Sequence, residues 1–131
     1  MDRGIAEKAV ALARTDGEWL LNARGWTGSV TLACDATAWR IAVDRGVLGE
    51  LSSTDASAGG TSANHVVISG AASSWASLLA SPPPAGFTDF FGANGIGAMQ
   101  VTPQPDDAPR HLAIRRLGDL LEEIELAEQV G

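Results

Sequence analysis

The spacing of hydrophobic positions changes along this chain, and each change predicts an element. Over residues 3–24, Ile5, Ala9, Leu12 and Ala13 recur at three- and four-residue intervals, and Trp19, Leu20 and Leu21 continue the apolar content. That spacing stacks side chains on one face of a helix. Asp2 stands where an N-cap is needed, and Gly17 is placed to break the helix in two. From residue 28 the period falls to two. In 28-GSVTLAC-34, Val30, Leu32 and Cys34 alternate with Ser29, Thr31 and Ala33. In 38-AWRIAV-43, Trp39, Ile41 and Val43 do the same. Both read as strands with one apolar face. Asp35-Ala36-Thr37 is a hairpin loop between them, and Asp44-Arg45-Gly46 turns into a third strand over 47–52.

The polar run 52-SSTDASAGGTSA-63 reads as a connecting loop. Residues 64–69 supply a fourth strand. Residues 72–80 predict a short helix with Trp75, Leu78 and Leu79 on one face, with Ser69 as its cap. Pro82, Pro83 and Pro84 end it, because proline has no amide hydrogen and restricts the residue before it. A second short helix is expected over 86–93 and a fifth strand over 97–102. The proline- and aspartate-bearing segment 103–109 is a loop. A final helix over 110–128 carries Leu117, Leu120, Leu121 and Ile124 as its stripe. Linked hairpins with helices grouped apart from them predict an α+β fold: a mainly antiparallel five-stranded sheet covered by helices on one side. The 131 residues are expected to form one domain, 1–131.

Composition narrows the function. Nine basic and sixteen acidic residues give a net charge of −7, which argues against nucleic acid, whose binding needs basic patches to displace counterions. No run approaches the roughly 20 apolar residues that span a bilayer, so no membrane insertion is expected. The N-terminus lacks the apolar core of a signal peptide. With Cys34 as the single cysteine, no intrachain disulfide or cysteine zinc cluster can form, which fits a reducing, cytoplasmic setting. Neither a metal nor a cofactor is expected.

Chemistry is sparse. His65 and His111 lie far apart, outside any metal-ligand spacing, and read as surface or capping residues. Ser69 stands in I-S-G-A, outside a G-x-S-x-G nucleophile elbow. Gly92, Gly95 and Gly97 follow a helix and precede a strand, the reverse of a phosphate-binding fingerprint, and read as a helix end and a turn. Cys34, on the apolar side of its strand, reads as a structural thiol. Asp35 and Asp44 suit turns. Glu122, Glu123, Glu125 and Glu128 form a solvated helix face. Abundant apolar surface with few convergent polar groups is the makeup of a hydrophobic ligand site or of ordinary core.

The order of these motifs resembles the sterol carrier protein family, in particular a bacterial branch found alone or fused to other domains, including α/β-hydrolases. The resemblance rests on 23-ARGWTGSV-30, on a hairpin carrying 44-DRG-46, and on an I-S-G strand end before a W-x-x-L-L helix. The Pro-Gly-Phe connector and the leucine-rich C-terminal helix extend it over roughly residues 5–125. The chain departs from the family where 101-VTPQPDDAP-109 replaces a glycine-aspartate pair. The resemblance implies an apolar tunnel between sheet and helices holding a lipid, an acyl chain or a polyketide-like ligand. Carried to this chain, its walls are Trp75, Leu78 and Leu79 from the third-helix segment and Phe87, Phe90 and Phe91 from the connector. The lid is Leu117, Leu120, Leu121 and Ile124, and the floor is Trp39, Ile41 and Met99. Two other readings stay open. One is a small cyclase or isomerase of a bacterial natural-product pathway, with His65, Asp35 and Asp89 as the groups to test. The other is an interaction module whose apolar face is covered by a second copy or a partner enzyme.

Overall fold

The computed structural model describes residues 1–55 and 64–130. The N-terminal helical stretch is two helices, α1 (Arg3–Ala13) and α2 (Gly17–Ala23). Asp2 caps the first, accepting the Ile5 amide hydrogen at 2.9 Å. The break falls just before Gly17. Asp16 takes an extended backbone and caps α2 by accepting from the Trp19 amide at 2.8 Å. A carboxylate one residue ahead of the glycine offers the free amides of a new helix start a partner, so the chain restarts there.

Strands β1 (Gly28–Cys34), β2 (Thr37–Asp44) and β3 (Val47–Asp55) follow as hairpins. In the second turn Arg45 and Gly46 both have positive φ, 50° and 84°, the backbone that matches strand twist in a two-residue hairpin loop. Gly46 is doubly required. A Cβ there would lie 2.8 Å from the Ala23 backbone, because this turn docks on the end of α2. Trp19 Nε1 donates to Gly46 O at 2.8 Å and Gly46 N–H donates to Trp26 O at 3.0 Å.

β3 runs through Asp55, three residues beyond the expected strand, and claims the start of the polar segment assigned to a loop. Ser52, Ser53, Thr54 and Asp55 pair with Arg40, Trp39, Ala38 and Thr37. Their side chains carry no apolar alternation, but the ladder to β2 satisfies their backbone groups and outweighs propensity. The rest of the expected loop, residues 56–63, lies outside the described residues.

β4 (His65–Gly70) and β5 (Met99–Thr102) complete a sheet ordered β3-β2-β1-β4-β5. Three pairings are antiparallel and β1–β4 is parallel, with Ser29 opposite His65 and Cys34 opposite Gly70. Between β4 and β5 come α3 (Ala72–Leu78) and α4 (Phe90–Gly95), and α5 (Ala108–Val130) closes the chain. The expected cap of α3 is corrected. Ser69 pairs within β4, and Ala71 at the N-cap position makes no side-chain bond. Asp35, in the β1–β2 turn, reaches across and accepts the Ala72 amide at 3.2 Å. The next helix starts at Phe90 and not at 86, because Asp89 caps it through the Gly92 amide at 2.8 Å.

One apolar cluster joins the helices to a single sheet face. Val30, Leu32, Trp39, Ile41, Val66 and Ile68 rise from the sheet, and Ala9, Trp19, Trp75, Phe90, Leu117 and Leu120 descend from the helices. The register puts Ser29, Thr31, Ala33, Arg40, His65 and Ser69 on the other face, small and polar as period-two alternation requires.

Candidate functional site

The α5 stripe sets the geometry of the interior. Leu117, Leu120 and Leu121 recur at three- and four-residue spacing and are fully buried, while Ile124, a turn further on, is partly buried against the same cluster. Beneath them the sheet presents Trp39, Ile41 and Met99, with Met99 brought beside β4 by the pairing of Gly70 with Met99. α3 inserts Trp75, Leu78 and Leu79. Trp75 meets Phe90 edge-on at 5.6 Å between ring centroids, a favourable arrangement for two aromatic rings. Its indole N–H donates to Ala33 O at 2.9 Å, so the one polar atom of that side chain is satisfied inside the core. Phe87 and Phe91 pack at the margin, and Phe91 stacks on His111 at 3.9 Å.

All thirteen apolar residues expected to line a ligand site therefore converge in or against one cluster between sheet and helices. They fill that space with one another. Phe90 fits so closely that a Cβ on Gly118 of α5 would lie 3.1 Å from its ring.

The three candidate acid-base residues do not converge. Asp35 sits in a left-handed turn conformation, φ 53°, and caps α3. Asp89 caps α4 and pairs with Arg115 of α5 at 3.1 Å. His65 starts β4 and its Nδ1 lies 2.8 Å from Ser29 Oγ, on the sheet face turned from the helices. Asp35 N–H bonds Gly70 O, five residues along β4 from His65, which separates the two by about 17 Å along the strand. Each group has a structural partner where it stands. Among the described residues, no group of three histidine, cysteine or acidic side chains is placed to hold a metal, and no helix is long and apolar enough to cross a membrane.

Residues not expected to line a ligand site form a cleft between the end of α2 and the start of α5. Leu21, Asn22, Arg24, Gly25 and Trp26, from the end of α2, face Asp107, Pro109 and Arg110 at the start of α5 across about 350 Å³. The Arg110 guanidinium lies 5.3 Å from the centre of the Trp26 ring, a cation–π contact. Arg24 stands in 23-ARGWTGSV-30 as an ordinary helix-end residue, and nothing local in the sequence announces that Arg110, 86 positions on, lines the same cleft.

The chain matches no protein-family model and no curated protein. Among solved structures it is similar to sterol carrier protein 2, with a TM-score of 0.67, 16% identity, and coverage of 92% of this chain and 95% of that one. It is also similar to a conserved hypothetical protein from Thermus thermophilus, described as a suspected sterol carrier protein, with a TM-score of 0.65, 16% identity, and coverage of 92% and 86%. Sheet, helical cover and order of elements agree over nearly the whole length, so this chain has the fold of a sterol carrier protein.

Proposed function

We propose that the protein binds a hydrophobic small molecule between its sheet and its helices. The observation that carries this reading is the joint one. A sterol-carrier-protein fold spans 92% of the chain. The space where that fold's layers meet is lined in this chain by large apolar side chains, with the Trp75 indole N–H bonded to a backbone carbonyl. A lipid or acyl chain entering there gains by burial of apolar surface, about 25 cal/mol per Å², and orientation comes from shape.

Because these side chains fill the space, entry requires part of the cover to move. α1, α2 and α5 pack on one another as a layer. α3 and α4 have only seven and six residues and are joined by a proline-rich connector; Phe87 of the connector and Phe91 of α4 are half-buried. Helices of six and seven residues have fewer backbone hydrogen bonds to break than α5 and open at lower cost, although each carries one buried aromatic ring, Trp75 or Phe90. Outward displacement of α4 lifts Phe90 from Trp75 and opens the interior.

The enzyme reading requires convergent polar groups, and His65, Asp35 and Asp89 stand apart in capping and sheet-face roles. Native mass spectrometry of protein purified from its own host tests the binding reading. The expected result is a non-covalent adduct that disappears on denaturation. Absence of an adduct, together with no binding of added dodecanol, overturns it.

A further inference from the structure

We propose that the cleft between the end of α2 and the start of α5 is a head-group site for an anionic amphiphile, a carboxylate on an apolar chain. This rests in part on the reading of the interior as a hydrophobic ligand site, but its own argument is the juxtaposition of Arg24, Arg110 and Trp26.

The chain as a whole repels anions, with sixteen acidic residues against nine basic. Two of those nine face one cleft of about 350 Å³, against a single acidic residue there, Asp107. Trp26 forms its inner wall and belongs at the same time to the apolar core, where its ring lies 6.1 Å from that of Trp19. The Trp26 indole N–H is committed to Asn64 O at 2.8 Å, and its ring, buried beneath the Arg110 guanidinium, is the floor that holds Arg110 at this cleft. Leu21, 60% exposed, adds apolar surface on the outer side. A lining that is part aromatic and aliphatic, part guanidinium and amide suits a molecule with an acidic head and an apolar body.

The two arginines have different parts. Arg110 is held over Trp26, and Asp107, whose Oδ1 accepts the Arg110 amide at 2.8 Å, lies 4.0 Å from its Nε. It contributes positive potential. Arg24 is exposed at the rim and supplies the direct contact, since a guanidinium presents two parallel N–H donors to a carboxylate. The Asn22 side chain stands beside it, with its amide nitrogen donating to Glu18 O at 3.0 Å and its carbonyl oxygen an acceptor.

Calorimetric titration with dodecanoate and, separately, dodecanol, both below their aggregation concentrations, tests the site. Wild-type protein should bind dodecanoate about tenfold or more tightly than dodecanol, in keeping with a hydrogen bond to a charged group. Arg24→Gln should abolish that preference and leave dodecanol binding unchanged. Arg40→Gln removes an equal charge on the far sheet face and should preserve the preference. If Arg24→Gln binds dodecanoate as wild type does, or if Arg40→Gln weakens it equally, the head-group site is overturned, while dodecanol binding keeps the interior reading standing. If neither probe binds wild type, both readings fall.

Discussion

Arg116 of α5 grips Asp16, the residue that caps α2, through two hydrogen bonds, Nε to Oδ2 at 3.0 Å and Nη2 to Oδ1 at 2.8 Å. The same carboxylate accepts the Trp19 amide, and Arg116 also reaches Glu18 at 3.0 Å. One acidic side chain thus starts a helix and ties it to another 100 residues away. The Arg116 hydrogen bonds hold the Asp16 carboxyl below the usual carboxylate range, and Asp16 in turn raises Arg116 further above pH values where it could lose its proton.

The consequence for stability has a definite sign. Asp16→Ala removes both cap and ion pair and should cost about 2 kcal/mol, whereas Asp16→Asn keeps a capping oxygen and should cost about half of that. A group whose pKa is depressed by folding stabilises the native state above its unfolded value, about 3.9, and loses that contribution as pH falls through the folded value. Urea unfolding of wild type and Asp16→Asn should therefore differ at pH 7 and converge as pH drops below about 4. A difference that persists at pH 2 would sink the assignment.

Asp35 is predicted to act as a structural cap. Asparagine tolerates a φ of 53° and can accept the Ala72 amide, so Asp35→Asn should unfold within about 0.5 kcal/mol of wild type. Asp35→Ala meets backbone strain as well as cap loss and should cost about 1–2 kcal/mol. Thermal melts of the two variants distinguish this role from a catalytic one. A catalytic carboxylate would lose function in the asparagine variant at full stability.

Gly118 and Phe90 are predicted to be coupled. Alanine in mid-helix is worth up to about 1 kcal/mol over glycine, yet a Cβ on Gly118 would press on a Phe90 ring fixed between α5 and Trp75. Gly118→Ala should therefore destabilise by about 1 kcal/mol in the wild-type background. Phe90→Ala alone should cost about 3–5 kcal/mol. In the Phe90→Ala background the Gly118 substitution should turn stabilising. A double-mutant cycle measures this, and additive effects would show that Phe90 yields freely.

Cys34 is predicted to be a slow thiol. Burial at the end of β1 pushes its pKa up, and Asp35 adds to this. Little thiolate is present near pH 7.5, so modification by a disulfide reagent should be slower in the folded protein than in urea. Because the unfolded thiol ionises first, its linkage lowers stability as pH rises beyond about 8.5. Reaction as fast as a model thiol would contradict the burial.

The elements most legible in the sequence were those whose signal is local. Alternation placed β1 and β2 within a residue, because period two leaves no second arrangement that buries Val30, Leu32, Trp39 and Ile41. The leucine spacing of α5 marked its buried face, and the thirteen apolar residues assigned to the interior all came together there. A boundary drifted where a carboxylate chose the helix start, as at Asp89, since a capping aspartate and a turn aspartate look alike in sequence. The tail of β3 was hidden because Ser52 to Asp55 owe their strand to hydrogen bonds with β2. The residues on their own set the faces: which side chains must leave water, and on which side of which element. The partners came from the folded chain: the parallel pairing of β4 with β1, Asp35 capping α3, and Arg24 and Arg110 meeting at one cleft. Burial is a property each residue carries in its own chemistry, whereas a hydrogen bond across 37 positions, or a cleft lined from 86 positions apart, exists only after the chain has closed.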